Sequence, residues 1–143
     1  MSTHTLGVPH TDVHMRKLHF AVGLAGVVAF VVTGIYMRAG FPDLYGTNEV
    51  LRYLYRSNHV YVLLASLVNV ALGVHLTAVA PGWRTAVSLL GSLLALAAPV
   101  VLCFAFFLEA PVPSPERVLT LTGVIAVTAG IALHVLGGMG GRR

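Results

Sequence analysis

The residues best placed to do chemistry are two histidines on apolar segments, because an imidazole nitrogen can bind a metal or carry a proton. His19 is followed by small residues at spacings of three and four, the spacing of one helix face. Small residues mark the packed face of a membrane helix, so we expect His19 to point into a helix bundle. That face comprises His19, Gly23, Gly26, Phe30, Thr33 and Met37.

A later apolar segment carries the same pattern with its histidine near the opposite end. Its face comprises Thr120, Gly123, Val127, Gly130, His134 and Gly137. If the two helices run antiparallel, His19 and His134 lie at the same depth, on the side of the membrane that holds both termini.

A flat macrocycle needs an imidazole on each side of its iron and small residues where it lies against the helices. The histidine pair therefore predicts a haem site, formed by His19, His134, Gly23, Gly26 and Gly130. The alternative is that the glycines only pack helices together and that each imidazole only hydrogen-bonds a neighbouring helix.

The segment that follows the first span carries polar residues that are unusual inside a membrane. One face of it holds Arg52, Arg56, His59, Ser66 and Asn69. This seam could bind haem propionates, a quinone head group or only a neighbouring helix, and we expect helix packing for Ser66 and Asn69. His75 is turned away from the seam and could be a further metal ligand, a proton-transfer group or a boundary residue.

The N-terminus offers a different chemistry. Without Met1 the chain begins Ser-Thr-His, whose amine, two amides and imidazole can form a square-planar Cu(II) or Ni(II) site. His10 and His14 follow nearby, so a metal-handling protein is a further alternative. No Ser-His-Asp set or phosphate-binding glycine loop is evident, and no acidic residue lies inside a span to build a carboxylate metal centre.

The composition indicates a membrane protein that holds these residues on helices. The chain has 143 residues, of which 57% are hydrophobic and 10% are charged, whereas soluble domains carry about 25% charged residues. Four segments reach the roughly 20 residues that a membrane helix needs. They are residues 18–37, 59–80, 85–108 and 118–136. We expect an all-α, up-down-up-down bundle over residues 1–143, a single domain with helix 1 beside helices 2 and 4.

The basic residues indicate the orientation. Those on the side of the termini are Arg16, Lys17, Arg84, Arg142 and Arg143, against Arg38, Arg52, Arg56 and Arg117 on the other side. Because Arg16 and Lys17 abut the first helix, we expect a multi-pass protein of the cell membrane with both termini in the cytoplasm. The basic residues form no stripe, so the net charge of +4 does not indicate nucleic-acid binding.

The connecting segments predict where helices begin. Thr47 or Asn48 could cap a helix that begins at Glu49, and Ser114 with Pro115 fits the start of the last helix. Pro99 predicts a kink in the third span. Residues 1–14 are polar, and we expect them to be loosely ordered.

A family resemblance adds to this interpretation. The runs Arg16-Lys17-Leu18-His19-Phe20 and Thr33-Gly34-Ile35-Tyr36-Met37 resemble the first helix of the cytochrome b561-like membrane cytochromes. That group includes bacterial cytochrome b561 and the b-type subunits of hydrogenases and formate dehydrogenases. Its first helix typically reads R-x-x-H-W and ends after T-G, and Phe20 here replaces the tryptophan.

The resemblance implies that His19 and His134 are the axial ligands of a haem b. A second haem in the bacterial pattern uses histidines of helices 2 and 4 near the other face. His59 could be the first of these, but helix 4 carries Thr120 there, so we expect one haem.

The expected function is single-electron transfer through that haem, with quinone or a partner subunit as the exchange partner, alone or inside a complex. An oxidoreductase acting on quinone or superoxide would fit the family. The alternatives are a non-catalytic membrane subunit or scaffold with packing histidines, and the metal-handling protein, which would use the N-terminal histidines and His75.

Overall fold

The structure, a computed structural model, describes residues 10–75 and 82–138, with side chains from residue 13 onward. It contains four helices: α1 (His10–Ala39), α2 (Glu49–His75), α3 (Trp83–Leu108) and α4 (Val118–Gly138). Each is long and apolar enough to cross a membrane, because roughly 20 apolar residues span the hydrocarbon core. The predicted all-α fold with four membrane spans is therefore confirmed.

Successive helices run antiparallel and form two closely packed hairpins, α1 with α2 and α3 with α4, which meet mainly through α2 and α3. We call the side that holds the start of α1 and the end of α4 the termini side, and the opposite side the loop side. Within the described ranges of α1 and α4, no pair of Cα atoms lies within 8 Å. The expectation that helix 1 lies beside helix 4 is therefore wrong.

Glycines explain why each hairpin is tight. A Cβ atom on Gly23 of α1 would lie 2.6 Å from the backbone nitrogen of Val70 on α2. In the other hairpin, a Cβ on Gly91 would lie 2.7 Å from the Gly130 carbonyl oxygen, and one on Gly130 would lie 2.8 Å from the Gly91 oxygen. Only hydrogen in place of a side chain allows these backbones to approach so closely.

The helix faces predicted from the sequence are the buried ones. On α1, His19, Gly23, Gly26, Thr33 and Met37 are buried, and Phe30 is half-buried. On α4 the whole predicted stripe is buried except His134, which is half-buried. The spacing of small residues therefore gave the orientation of both helices correctly.

The first two helices begin well before the predicted spans. Residues 10–14 are helical and extend α1, so the expectation of loose order is wrong for them, while residues 1–9 lie outside the described part. The helix that begins at Glu49 continues without a break as α2. Asn48 is its cap, since its Oδ1 accepts a hydrogen bond from the Leu51 amide at 3.1 Å.

The N-terminus of α4 is capped by Glu109, the residue that directly follows α3. The Glu109 carboxylate, directly after α3, accepts hydrogen bonds from the amides of Leu119 at 2.6 Å and Thr120 at 2.9 Å. A carboxylate is favourable at a helix N-terminus because it meets unpaired N–H groups and the positive end of the helix dipole. The predicted start at Ser114 and Pro115 is therefore wrong, and α4 begins at Val118.

The interior between the helices is small and apolar over most of its length. At mid-depth it is formed by Val62, Ala65, Ala98, Leu102, Ala126 and Val127. Toward the loop side, aromatic residues enlarge it, and Phe106 packs edge-on against Tyr55 with ring centroids 5.4 Å apart. Pro99 is buried inside α3, and the kink expected there stays a prediction.

Candidate functional site

His19 is fully buried near the start of α1, where α2 and α3 hold its imidazole in one orientation. Its Nδ1 lies 2.8 Å from Asn69 Oδ1 on α2. The Asn69 amide nitrogen donates to the carbonyl oxygens of Ala65 at 2.9 Å and Ala95 of α3 at 2.6 Å. Since both amide protons are used, the Asn69 oxygen is the atom that faces His19.

This arrangement determines which ring nitrogen carries the proton. An amide oxygen only accepts, so the Nδ1–H of His19 is the donor, and Nε2 of the neutral ring keeps its lone pair. Nε2 is buried and has no hydrogen-bond partner among the residues that the structure describes. Leaving a buried polar atom unsatisfied costs about 1–3 kcal/mol, so Nε2 of His19 is an acceptor or ligand atom in need of a partner.

His134 presents a similar nitrogen from α4. Its Nδ1 lies 3.1 Å from the hydroxyl oxygen of Ser88 on α3, and its Nε2 makes no hydrogen bond with any described residue. Both imidazoles are linked to α3, His134 directly through Ser88 and His19 through Asn69, which donates to Ala95.

Two serines of α3 belong to this region and were missed by the sequence reasoning. Ser88 and Ser92 are buried, and Ser92 makes no hydrogen bond with the described residues. They are four residues apart and share a helix face with Ala95. Paired serines on one face of a strongly apolar helix were the signal that could have identified them.

The predicted glycines lie at helix contacts. Gly23 and Gly26 of α1 face the backbone and side chain of Ser66 on α2, and Gly130 faces Gly91 and Ala95 on α3. Neighbouring helices therefore fill the space beside these three glycines. That they also border a haem stays a prediction.

His59 packs between α1 and α2, farther toward the loop side. Its ring stacks on Phe30 with centroids 4.0 Å apart, and its Nδ1 lies 2.9 Å from the Thr33 hydroxyl oxygen. A Cβ on Gly34 would come within 3.2 Å of the ring. Thr33 and Gly34 of α1 therefore both contact the His59 ring, an arrangement that serves helix packing.

The rest of the polar seam is not gathered around the His19 site. Arg56 is exposed and Arg52 half-buried, and neither pairs with a described residue. Ser66 donates to the Val62 carbonyl oxygen of its own helix at 2.6 Å. Only Asn69 reaches the site, and there it positions His19 as well as bridging two helices.

The metal-handling residues are separated from the pair as well. His75 is exposed at the end of α2 on the termini side. Within residues 10–75 and 82–138 there is no group of three or more histidine, cysteine, aspartate or glutamate side chains that could hold a metal ion. The Ser-Thr-His motif lies outside the described residues.

On the loop side, a second polar network joins the same helices. Asn58 of α2 is fully buried and donates to the Ala105 carbonyl oxygen of α3 at 3.3 Å. The Thr120 hydroxyl lies 2.9 Å from Asn58 Oδ1 and 2.6 Å from Glu109 Oε2. The family resemblance would place a second helix-4 histidine at Thr120. Here Thr120 completes a hydrogen-bonded network.

No protein-family model, curated protein or solved structure matches the chain. The interpretation of the site therefore depends on its geometry, together with the helix 1 resemblance. The geometry gives a four-span membrane protein with two buried or half-buried imidazoles whose Nε2 atoms have no protein partner among the described residues.

Proposed function

We propose that this chain is a membrane-embedded b-type cytochrome whose single haem b is held by His19 and His134. The observation that carries the proposal is the buried Nε2 of His19, which has no partner in the described part of the chain. Ligand histidines characteristically donate their other ring N–H to an oxygen atom that fixes the tautomer and the ring orientation. Asn69 does this for His19.

The number of donor atoms favours haem over a bare metal ion. Structural and catalytic zinc or copper sites use three or four protein ligands. The predicted ligand pair supplies two imidazoles, and no group of three or more potential ligand side chains occurs among the described residues. Two imidazoles are the complete axial set of a low-spin haem iron, because the macrocycle supplies the other four ligands.

Whether the haem macrocycle fits depends on the space between α1 and α4. The predicted glycines are in contact with neighbouring helices, so there is no open space beside them for the macrocycle. Because the described residues of α1 and α4 make no close contact with each other, a ring between His19 and His134 would displace no contact between these helices.

The protein would contribute orientation and a dry surrounding, while the bound haem would supply the one-electron chemistry. Asn69 and Ser88 fix the imidazoles, and the apolar helices exclude water. Arg16 and Lys17 favour a cytoplasmic termini side, so electrons would be exchanged there with quinone or a partner subunit.

The test is an absorption spectrum of the chain purified from haem-replete cells. We expect reduced b-type α and Soret bands, lost in His19→Ala and in His134→Ala. His59→Ala and His75→Ala are matched controls that should keep the bands, because His59 packs between helices and His75 is exposed. Size-exclusion chromatography and circular dichroism establish that each variant is folded. A folded wild type without haem, or low-spin bands in both ligand variants, would overturn the proposal.

The packing of the glycines and of His59 favours one other function, that of a non-catalytic membrane subunit. In that case His19 serves only to hydrogen-bond Asn69. His19→Gln keeps a side-chain donor for that bond but removes the imidazole. A subunit of this kind stays haem-free in the wild type and tolerates the substitution, whereas a cytochrome loses its haem.

A further inference from the structure

A cleft of about 510 Å³ lies between α2 and α4 on the loop side, away from the histidine pair. Tyr61 of α2 forms one wall, and the segment that ends at Arg117 forms the mouth. Apolar side chains of the first turns of α4, among them Leu121 and Val124, form the other wall. The cleft thus runs from charged residues at the helix end toward the apolar middle of the span.

Arg117 enters the mouth of this cleft with unused hydrogen-bond donors. Of the five N–H groups of a guanidinium, one reaches the Thr120 hydroxyl oxygen at 3.1 Å and one the Ser57 hydroxyl oxygen at 3.5 Å. The Nε atom is buried and has no partner among the described residues, no described carboxylate lies within ion-pair distance, and each terminal nitrogen keeps one N–H for a ligand in the cleft. A guanidinium in this state is matched best by phosphate oxygens, which accept its fork of donors.

Glu116 places a negative charge beside Arg117 at the same mouth. Its carboxylate is exposed and accepts no hydrogen bond from the described residues. Opposite charges that line one cleft without pairing suit a zwitterion better than an anion. A phosphate would lie on Arg117 and an ammonium group on Glu116.

The apolar wall indicates that the zwitterion belongs to a lipid. Val118, Leu121 and Val124 follow one another about one turn apart, descending from the charged mouth into the span. Val118 and Leu121 are more than half exposed, and Tyr61 lies on the opposite wall. A head group would meet the charged residues at the mouth, and an acyl chain would meet the apolar residues below it.

We propose that this cleft binds one phospholipid whose head group combines a phosphodiester with a primary ammonium, that is, a phosphatidylethanolamine. Arg117 binds the phosphate, Glu116 accepts from the ammonium, and Leu121 and Val124 contact an acyl chain. A trimethylated head group cannot donate to Glu116, and an anionic one lacks the ammonium. The site is independent of the proposed haem.

The test is native mass spectrometry of the full chain, released from bilayers that contain equal amounts of ethanolamine, choline and glycerol phospholipids with identical acyl chains. We expect one ethanolamine lipid to be retained preferentially. Arg117→Gln should lower that retention by about tenfold, the effect of losing a charge-assisted hydrogen bond. Arg38→Gln, which changes an exposed arginine at the loop-side end of α1, is the matched control and should retain the lipid.

Glu116→Gln separates head-group recognition from general lipid contact. It should remove the preference for ethanolamine over choline lipids while keeping a bound phospholipid. Because the Glu116 side chain is exposed and its carboxylate bonds no described residue, this variant remains informative even if Arg117→Gln does not fold. Equal retention of all three lipids by the wild type, or a preference for the glycerol lipid, would overturn the proposal, and so would an unchanged preference in Glu116→Gln.

Discussion

Two buried asparagines of α2 hold the bundle together in the same way, but their side-chain oxygens bond residues of different helices. Asn58 and Asn69 each donate to a carbonyl oxygen of α3 and each offer an oxygen to a third helix. The oxygen of Asn58 accepts from Thr120 of α4, and that of Asn69 accepts from His19 of α1. Both therefore join three helices inside the membrane.

The two networks differ in the hydrogen bonds that the residue on the third helix, Thr120 or His19, makes to other groups. The Thr120 hydroxyl also lies against Glu109 and accepts from Arg117, so its hydrogen-bonding capacity is used. His19 keeps a buried nitrogen that no described residue partners. Both networks hold the helices together, but only the one on the termini side leaves a nitrogen lone pair, the kind of atom that can bind a metal, without a described partner.

In the proposed cytochrome, the largest effect that would sharpen this comparison is on haem retention. Asn69→Ala frees the Nδ1 proton of His19 and the orientation of its ring. Loss of such a supporting partner lowers metal affinity by about 10–100-fold. Haem transfer to apomyoglobin measures this loss, and Asn58→Ala is the matched control with unchanged transfer. Equal haem retention in Asn69→Ala and the wild type would contradict a positioning role for Asn69.

The next effect concerns the free energy of unfolding, and it ranks the two asparagines in the same order. Haem-free Asn69→Ala leaves the buried Nδ1–H of His19 without its partner, which costs about 1–3 kcal/mol. Unfolding in mixed micelles, titrated with a denaturing detergent, measures the free energy of unfolding. Asn58→Ala should lose less, because the Thr120 hydroxyl keeps Glu109 and the Ala105 carbonyl oxygen keeps the amides of Glu109 and Ala110. A larger loss in Asn58→Ala would break the contrast between the two networks.

The smallest expected effect is the pH dependence of the loop-side network. Burial alone would raise the pKa of Glu109, but hydrogen bonds from Thr120 and Leu119 and the charge of Arg117 lower it below its ordinary value. A lowered folded-state pKa means that the carboxylate stabilises the fold above the unfolded value of about 4.3. This stabilisation is lost as the pH falls through the folded pKa.

Comparing unfolding at pH 7 and pH 3.5 in the wild type and Glu109→Gln tests this expectation. The wild type should lose more stability on acidification than the variant, which has no carboxylate at this position. Glu116→Gln is the control, since Glu116 is exposed and caps no helix. Equal pH dependence in the wild type and Glu109→Gln would show that the cap does not stabilise α4 through its charge.

The spans and the inward faces could be predicted because they depend on periodicity within one helix. The stripe from His19 to Met37 needed no knowledge of the neighbours, and neither did the cap at Asn48, whose partner is three residues away. These features follow from local spacing and from the preference of membrane helices for small residues at contacts.

The remaining features depend on contacts between helices that no local pattern contains. Glu109 caps α4 from the end of α3, so Ser114, a good local candidate, is not needed there. Short loops suggested that helices 1 and 4 are neighbours. The glycines of these two helices pack against α2 and α3 instead. The pairing of His134 with Ser88 likewise appears only in three dimensions.

The separation of α1 from α4 has a consequence for assembly. The two hairpins meet mainly along α2 and α3, and His19 belongs to one hairpin while His134 belongs to the other. In the proposed cytochrome, iron bonds to both residues would tie the hairpins together on the side where the protein itself leaves them apart. Acquisition of the cofactor would then be the last step of maturation, and chains that failed to acquire it would keep a looser side that membrane proteases could recognise.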